Sequence, residues 1–218
     1  MGYQLERIGF VNPVRICTTL EYGPSYLKTL VELNYRLSYA GKKNGLDLRL
    51  TSGVVVDQSK INSFYWLAPG SRSGREEYLF QGTYPDRFAV FPNSFWSRQM
   101  TITEGGLVSP VNEKLGYSRW LIALSVISSL PGKTSRIPVK PFFNLLLNDH
   151  GSGQHLPLFC EAGVKAGLWN FFEIWIPLLV SRNIVSSTGP FKDRIRLVFN
   201  LDSFSQTKLN SGLGIRIR

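Results

Sequence analysis

The chain has 218 residues and a net charge of +10, and 43% of its residues are hydrophobic and 13% aromatic. This composition is too apolar for a disordered chain, and the length suits one large domain or two small ones. No apolar run approaches the roughly 20 residues that a transmembrane helix needs. The first ten residues, MGYQLERIGF, lack the pattern of a signal peptide, so we expect an exported form to be mature or the C-terminal part of a longer chain.

The main feature of the sequence is a long alternation of apolar and polar residues, the period that is typical of a β-strand with one wet face. It first runs from 27 to 39, LKTLVELNYRLSY, and resumes at 45–57, GLDLRLTSGVVVD. Turn signals such as Glu104-Gly-Gly separate the alternating segments. Further alternating segments are 117–130, 159–168, 193–203 and 212–218, with weaker ones at 14–21, 60–67, 76–83, 94–103, 137–148 and 171–181. The pattern predicts an all-β chain of about 10–12 strands in a single domain, 1–218.

The length of these segments bears on the kind of β-structure. Strands of soluble domains usually have about 5–6 residues, whereas a tilted strand crosses a bilayer in about 9–11. Aromatic residues lie near several segment ends, as in the interfacial girdles of membrane barrels: Tyr35, Tyr39, Tyr117, Trp120, Trp169 and Trp175. The sequence therefore predicts an antiparallel up-and-down transmembrane β-barrel. A soluble barrel with a ligand cavity also alternates, but with its apolar face inside.

The two faces of such a barrel give two sets of candidate residues. The charged residues of the wet face would point into the lumen, where opposite charges on neighbouring strands pair. The lumen-facing candidates are Lys28, Glu32, Arg36, Asp47, Arg49, Arg119, Lys140, Glu161, Lys165, Arg194, Arg196 and Arg216. The lipid-facing candidates are Leu33, Leu37, Leu48, Trp120, Ile122, Leu124, Leu197 and Phe199.

The basic residues are spread singly over successive strands, which differs from the clustered patch of a nucleic-acid-binding protein. A ring of them could form a narrow anion-favouring pore, but with so few strands a packed polar interior is the preferred interpretation. The pair Cys17 and Cys160 falls on opposite faces, which argues against a disulfide. The group Asp149, His150 and His155 is interpreted as a surface loop and not as a metal site, and no catalytic motif can be named. We therefore expect neither an enzyme nor a cofactor.

Four segments carry a resemblance to a known group of proteins: FWSRQMTITEGG (95–106), WLIALSVISSLPG (120–132), FEIWIPLLVSRNI (172–184) and DRIRLVFNLDSF (193–204). Through them the chain resembles the C-terminal β-rich region of certain large exported zinc-aminopeptidase-like proteins from Gram-negative bacteria. The resemblance implies a surface or outer-membrane location and a module that accompanies a peptidase-like region. The zinc signature H-E-x-x-H is absent here, so no catalytic or metal residue is transferred.

The sequence thus leads to one main functional hypothesis and one alternative. The first is an outer-membrane β-barrel module of a Gram-negative bacterium that anchors or presents a peptidase-like region or partner protein, with membrane lipid around it and no catalysis of its own. The alternative is a soluble β-barrel module that binds an apolar small ligand. The two differ in which face of each strand is wet.

Overall fold

The structure is a computed structural model, and it describes residues 2–7, 12–39, 44–57, 66–71, 100, 102–109, 117–130, 137–149, 158–169, 172–182, 184 and 191–199. Nine strands form within these residues: β1 (Gly2–Arg7), β2 (Val14–Tyr22), β3 (Tyr26–Ser38), β4 (Gly45–Asp57), β5 (Trp120–Ser128), β6 (Val139–Asn148), β7 (Leu158–Trp169), β8 (Phe172–Val180) and β9 (Arg196–Phe199). A short 3-10 helix, Phe191–Arg194, precedes β9.

The nine strands make one sheet in which each strand pairs with the next along the chain. Every pairing is antiparallel, so the predicted all-β, up-and-down arrangement is confirmed. The described residues contain nine strands, and the predicted total of about 10–12 includes segments that lie wholly or mostly outside them, so that number stays a prediction. Within the described ranges β1 and β9 do not pair with each other, so the sheet is not closed there.

Several predicted segments match a strand to within one residue, including the weaker segments 14–21 and 171–181, which correspond to β2 and β8. The segment 45–57 coincides with β4, and β3 begins and ends one residue before the predicted 27–39. In the described part of the segment 193–203, the first two residues belong to the 3-10 helix and β9 covers four residues, while 200–203 lie outside the described residues. The predicted segments 76–83 and 212–218 lie outside the described residues, and β1 was not predicted.

The register keeps like residues on one face from strand to strand. Directly opposed residues of an antiparallel pair point to the same side, and a slip of one residue would move every side chain to the other side. On one side, Thr51 opposes Ala123 and Asn144 opposes Glu161. We call this side the inner face, since all four residues are at most 3% exposed, and the opposite side the outer face.

Part of the long connection between β4 and β5, residues 58–119, covers the inner face. Its described residues 66–71, 100 and 102–109 are here called the inserted segment, and 117–119 lead directly into β5. Leu67 and Leu107, both fully buried, pack with Leu121, Leu146 and Phe159 of the sheet in one hydrophobic cluster. A second cluster joins Met100 and Val108 of the segment to Phe142 and Trp175 of the sheet. The hydrophobic core therefore lies between the inner face of the sheet and the inserted segment.

The sheet is strongly curved around this segment. A single cavity of about 360 Å³ is lined both by Arg15 on β2 and by Trp175 on β8. In a flat sheet these strands would be roughly 29 Å apart, because neighbouring strands lie about 4.8 Å apart. The sheet must therefore curl to bring them to one cavity. No helix in the described part of the chain is long and apolar enough to cross a membrane.

A glycine on β7 is needed where β7 and β8 change register. A Cβ atom at Gly163 would collide with the carbonyl oxygen of Ile176 and lie 2.8 Å from the Cα of Pro177, whereas one at Gly167 would meet nothing within 4 Å. We expect Gly163→Ala to lower the free energy of unfolding by about 1–3 kcal/mol, the usual cost of overpacking. Gly167→Ala, on the same strand, is the matched control. Chemical denaturation of both variants measures the difference, and equal midpoints would contradict the packing at Gly163.

Candidate functional site

The inner face holds the inserted segment by three sets of polar contacts, and the first is made by Glu161. This β7 carboxylate is only 1% exposed, and it accepts hydrogen bonds from the backbone N–H groups of Val108 and Ser109. The amide nitrogen of Asn144 on β6 donates to the same carboxylate at 2.8 Å. Three donors thus satisfy a buried acid that would otherwise be costly to desolvate. Glu161 fixes residues 108–109 to the wall of the sheet.

The second contact joins Lys28 on β3 to Glu104 in the inserted segment. Its ammonium nitrogen lies 2.7 Å from the carboxylate, and both side chains are less than a quarter exposed. The other oxygen of Glu104 accepts the backbone N–H of Ala68 at 3.2 Å. Burial acts to raise the pKa of the Glu104 carboxyl, but Lys28 and the N–H of Ala68 outweigh it and hold that pKa below its ordinary value. The carboxylate therefore joins the two parts of the inserted segment to β3.

The third contact is made by Arg49 on β4. Its guanidinium donates two hydrogen bonds to one carboxylate oxygen of Glu32 on β3, at 2.9 and 2.6 Å. The remaining terminal nitrogen donates to the carbonyl oxygen of Thr103 at 3.3 Å. Asn34 completes the arrangement by donating to the second oxygen of Glu32 at 2.6 Å. An ion pair between two strands thus also holds the inserted segment.

Three other predicted inner residues form ion pairs within the sheet. Lys165 lies 2.7 Å from the carboxylate of Glu173 and 4.7 Å from the ring centroid of Trp175. Arg36 and Asp47 are 3.7 Å apart, and each side chain is about two fifths exposed. Pairs this exposed contribute little to stability.

The remaining inner candidates are placed as follows. Arg119 is exposed beside β5, where its backbone N–H donates to the Asp149 carboxylate and its guanidinium lies 4.8 Å from the Trp66 ring centroid. Lys140 opposes Lys165 in the β6–β7 register. Arg194 ends the 3-10 helix and Arg196 begins β9. Arg216 lies outside the described residues.

The outer face carries most of the predicted lipid-facing residues. One row runs through Ile16, Leu33, Leu50, Leu124 and Leu145, which oppose one another in register across five neighbouring strands. Many of the large apolar residues of this face are exposed: Leu27, Val31, Leu37, Leu50, Val54, Val56, Ile122, Phe143 and Leu158. Apolar patches that continue over several neighbouring strands are rare on soluble monomers and mark contact with another apolar phase or partner.

Other lipid-facing candidates are placed differently by the structure. Leu48, Leu124 and Trp120 lie on the outer face and are half-buried. Leu197 has the register of the outer face but is only 1% exposed, so it does not belong to the exposed apolar surface. Phe199 is the last residue of β9, opposite Phe172 in the backbone register.

The sequence analysis did not identify the inserted segment as the partner of the inner charges. It interpreted 104–106 only as a turn. The sequence feature that could have indicated this close packing is the pair of glycines after Glu104. A Cβ atom at Gly105 would collide with the backbone of Pro69. Gly106 has a φ of +69° and packs against Ser125. Adjacent glycines after an isolated Glu thus mark the point where the segment approaches both itself and β5.

The described residues contain no cluster of three or more His, Cys, Asp or Glu side chains that could hold a metal ion. The Asp149 carboxylate accepts the Arg119 N–H, and His150 and His155 lie outside the described ranges. Both cysteines are free, with Cys17 on the inner and Cys160 on the outer face. Comparisons with protein-family models, curated proteins and solved structures find no match to this chain.

Removing the Glu161 carboxylate should loosen the inserted segment. We expect Glu161→Ala to leave the N–H groups of Val108 and Ser109 buried without an acceptor, at about 1–3 kcal/mol for each unsatisfied group. Hydrogen exchange at 107–109 should accelerate by about tenfold or more, since 1.4 kcal/mol corresponds to a factor of ten. Glu173→Ala, which removes a strand carboxylate that pairs with Lys165, is the control. Equal protection of 107–109 in both variants would contradict this role of Glu161.

The Glu104 contact should also depend on pH. Since its pKa is lowered on folding from the ordinary value of 4.5, its contribution to stability is present above that value and is lost as the pH falls through the lowered pKa. We expect Glu104→Gln to be less stable than the parent chain at neutral pH and the difference to shrink below about pH 4. Thermal unfolding of both chains from neutral to acid pH tests this. A difference that stays constant with pH would show that charge on Glu104 is irrelevant.

Proposed function

We propose that this chain is an outer-membrane β-barrel module that anchors or presents a partner, with an interior partly filled by the inserted segment. The observation that carries the proposal is the distribution of the two faces. The exposed face is apolar over successive strands, while the ion pairs of Lys28, Glu32 and Arg49 lie on the buried face. A soluble barrel has the opposite arrangement, with polar residues outside. Lipid is the environment that suits an exposed apolar face of this extent.

The height of the apolar face also suits a bilayer. On β3 it extends from Leu27 to Leu37, both among the exposed apolar residues. Ten residues of strand rise roughly 33 Å, which becomes about 25 Å along the membrane normal at a tilt near 40°. The apolar band of outer-membrane barrels has about this height. The length of the strands noted in the sequence is consistent with this height.

The connections support the same proposal. At one end of the sheet they are 8–13, 39–44, 129–138 and 170–171, and at the other they include the long connections 58–119 and 181–195. Outer-membrane barrels have short turns on the periplasmic side and longer loops on the outside. We infer that the inserted segment enters the interior from the end of the sheet that has the long connections, which corresponds to the extracellular end of an outer-membrane barrel. The proposal also requires closure around β1 and β9, because unpaired strand edges are not stable in hydrocarbon.

The contacts of the inserted segment favour an anchor over a pore. An anion-favouring pore would need basic side chains that face open water in the lumen. Here Lys28 and Arg49 bind Glu104, Glu32 and Thr103 instead. Apolar residues of the segment fill the space beside them. The proposed role is therefore a closed anchor, and the resemblance described above suggests a peptidase-like region as its partner.

The first test is refolding with and without detergent micelles, followed by gel mobility of heated and unheated samples. The proposal expects a compact, heat-modifiable species that forms only with detergent. A monodisperse, β-rich protein in plain buffer would overturn it and would favour the soluble binding module.

Substitutions on the two faces should then separate in their effects. We expect Leu33→Arg and Leu124→Arg, near strand centres on the outer face, each to cost about 2–4 kcal/mol of folding free energy in a bilayer. Arg36→Ala and Lys165→Ala on the inner face are the controls and should leave assembly intact. Folding yields in lipid vesicles measure the effect. If both leucine variants insert as well as the parent chain, the outer face does not contact lipid.

A further inference from the structure

The inserted segment does not fill the whole interior. A cavity of about 360 Å³ remains between it and the inner face, within the range of about 300–1,000 Å³ that is usual for ligand pockets. It is lined by Pro13 directly before β2, by Arg36 near the end of β3 and by Asp47 near the start of β4. These residues lie at the end of the sheet with the short connections, opposite the end from which the inserted segment enters. The cavity is thus placed to receive a ligand from water.

The charged part of the lining is basic. Three arginines, Arg15, Arg36 and Arg49, contribute to it, against the single carboxylate of Asp47. Even when Glu32, the partner of Arg49, is counted with the acids, positive charge remains in excess. Arg36 and Asp47 are 3.7 Å apart and each side chain is about two fifths exposed, so water and dissolved anions reach the Arg36 guanidinium. Guanidinium groups bind carboxylates through paired, charge-assisted hydrogen bonds.

The rest of the lining is mainly apolar. Ile102 of the inserted segment, Ile127 of β5 and Trp175 of β8 form one part of the wall. Asn144 and Ser125 add hydrogen-bonding groups. A pocket with an apolar wall and a few convergent polar groups is typical of small-molecule sites. Here it matches a ligand with a flat or branched apolar body and one anionic end.

We propose that this cavity binds a small amphipathic carboxylate, with the carboxylate at Arg15 and Arg36 and the apolar body against Ile102, Ile127 and Trp175. The site goes beyond the membrane anchor and does not depend on it, because its residues belong to the curved sheet and the inserted segment in either environment. A chain that proves soluble could still bind the ligand. A membrane barrel could equally fail to bind it.

The probe is 2-naphthoate, titrated calorimetrically into the refolded chain, with 2-naphthamide as a neutral analogue of the same shape. The proposal expects one bound naphthoate per chain and about tenfold weaker binding or more for the amide, since a charge-assisted contact is lost. Micelles without protein provide the blank. Equal binding of the acid and the amide would overturn the proposal.

Variants locate the site. Arg36→Gln should weaken naphthoate binding by about tenfold, and Arg182→Gln, which removes an exposed arginine outside the cavity lining, should leave it unchanged. Equal affinities in the two variants would place the bound acid elsewhere and overturn the assignment. Two competitors then distinguish the source of the acid: displacement of naphthoate by palmitate would indicate a lipid-derived acid, and displacement by benzoate but not by palmitate would indicate a water-soluble one.

Discussion

The structure depends on a register that is kept without a slip from β2 to β7. Because strand side chains alternate, this register alone collects the charged residues of successive strands on one face and the apolar residues on the other. The row from Ile16 to Leu145 and the buried pair Asn144 and Glu161 are two consequences of the same pairing. Among the described strands only β7 and β8 change register, once at Ala162/Gly163, where Gly163 lets the backbones approach, and again between Gly167 and Trp169.

A polar inner face creates a problem that the inserted segment solves. Charged groups inside a curved sheet need partners, since buried and unsatisfied polar atoms are costly. The segment supplies the carboxylate of Glu104, the carbonyl of Thr103 and the N–H groups of Val108 and Ser109. Its leucines cover the apolar part of the same face. The wall and the segment thus complete each other chemically.

The sequence was sufficient to predict β3 and β4 because alternation over 13 residues is a strong local signal, whereas β1 was not predicted. It also assigned Lys28, Glu32 and Arg49 to one face, where the structure places them. Their partners could not be predicted in the same way. Glu104 is 76 residues from Lys28 in the chain, and no periodicity connects them. Leu197 shows the same limit, since its alternation predicts an exposed outer face but tertiary packing leaves it 1% exposed.

The inserted segment lies in the connection between two halves of the sheet, and pairing these halves carries an extra cost in chain entropy. Within β1–β4 and within β5–β9 most neighbouring strands are joined by short connections, but pairing β4 with β5 closes the loop 58–119. Loop closure grows as about 1.5 RT ln n, so this step costs about 2 kcal/mol more than closing a loop like 39–44. The segment bridges the two halves by binding Lys28 in the first and Glu161 in the second. The contacts that fill the interior therefore also offset the entropic cost of joining the halves.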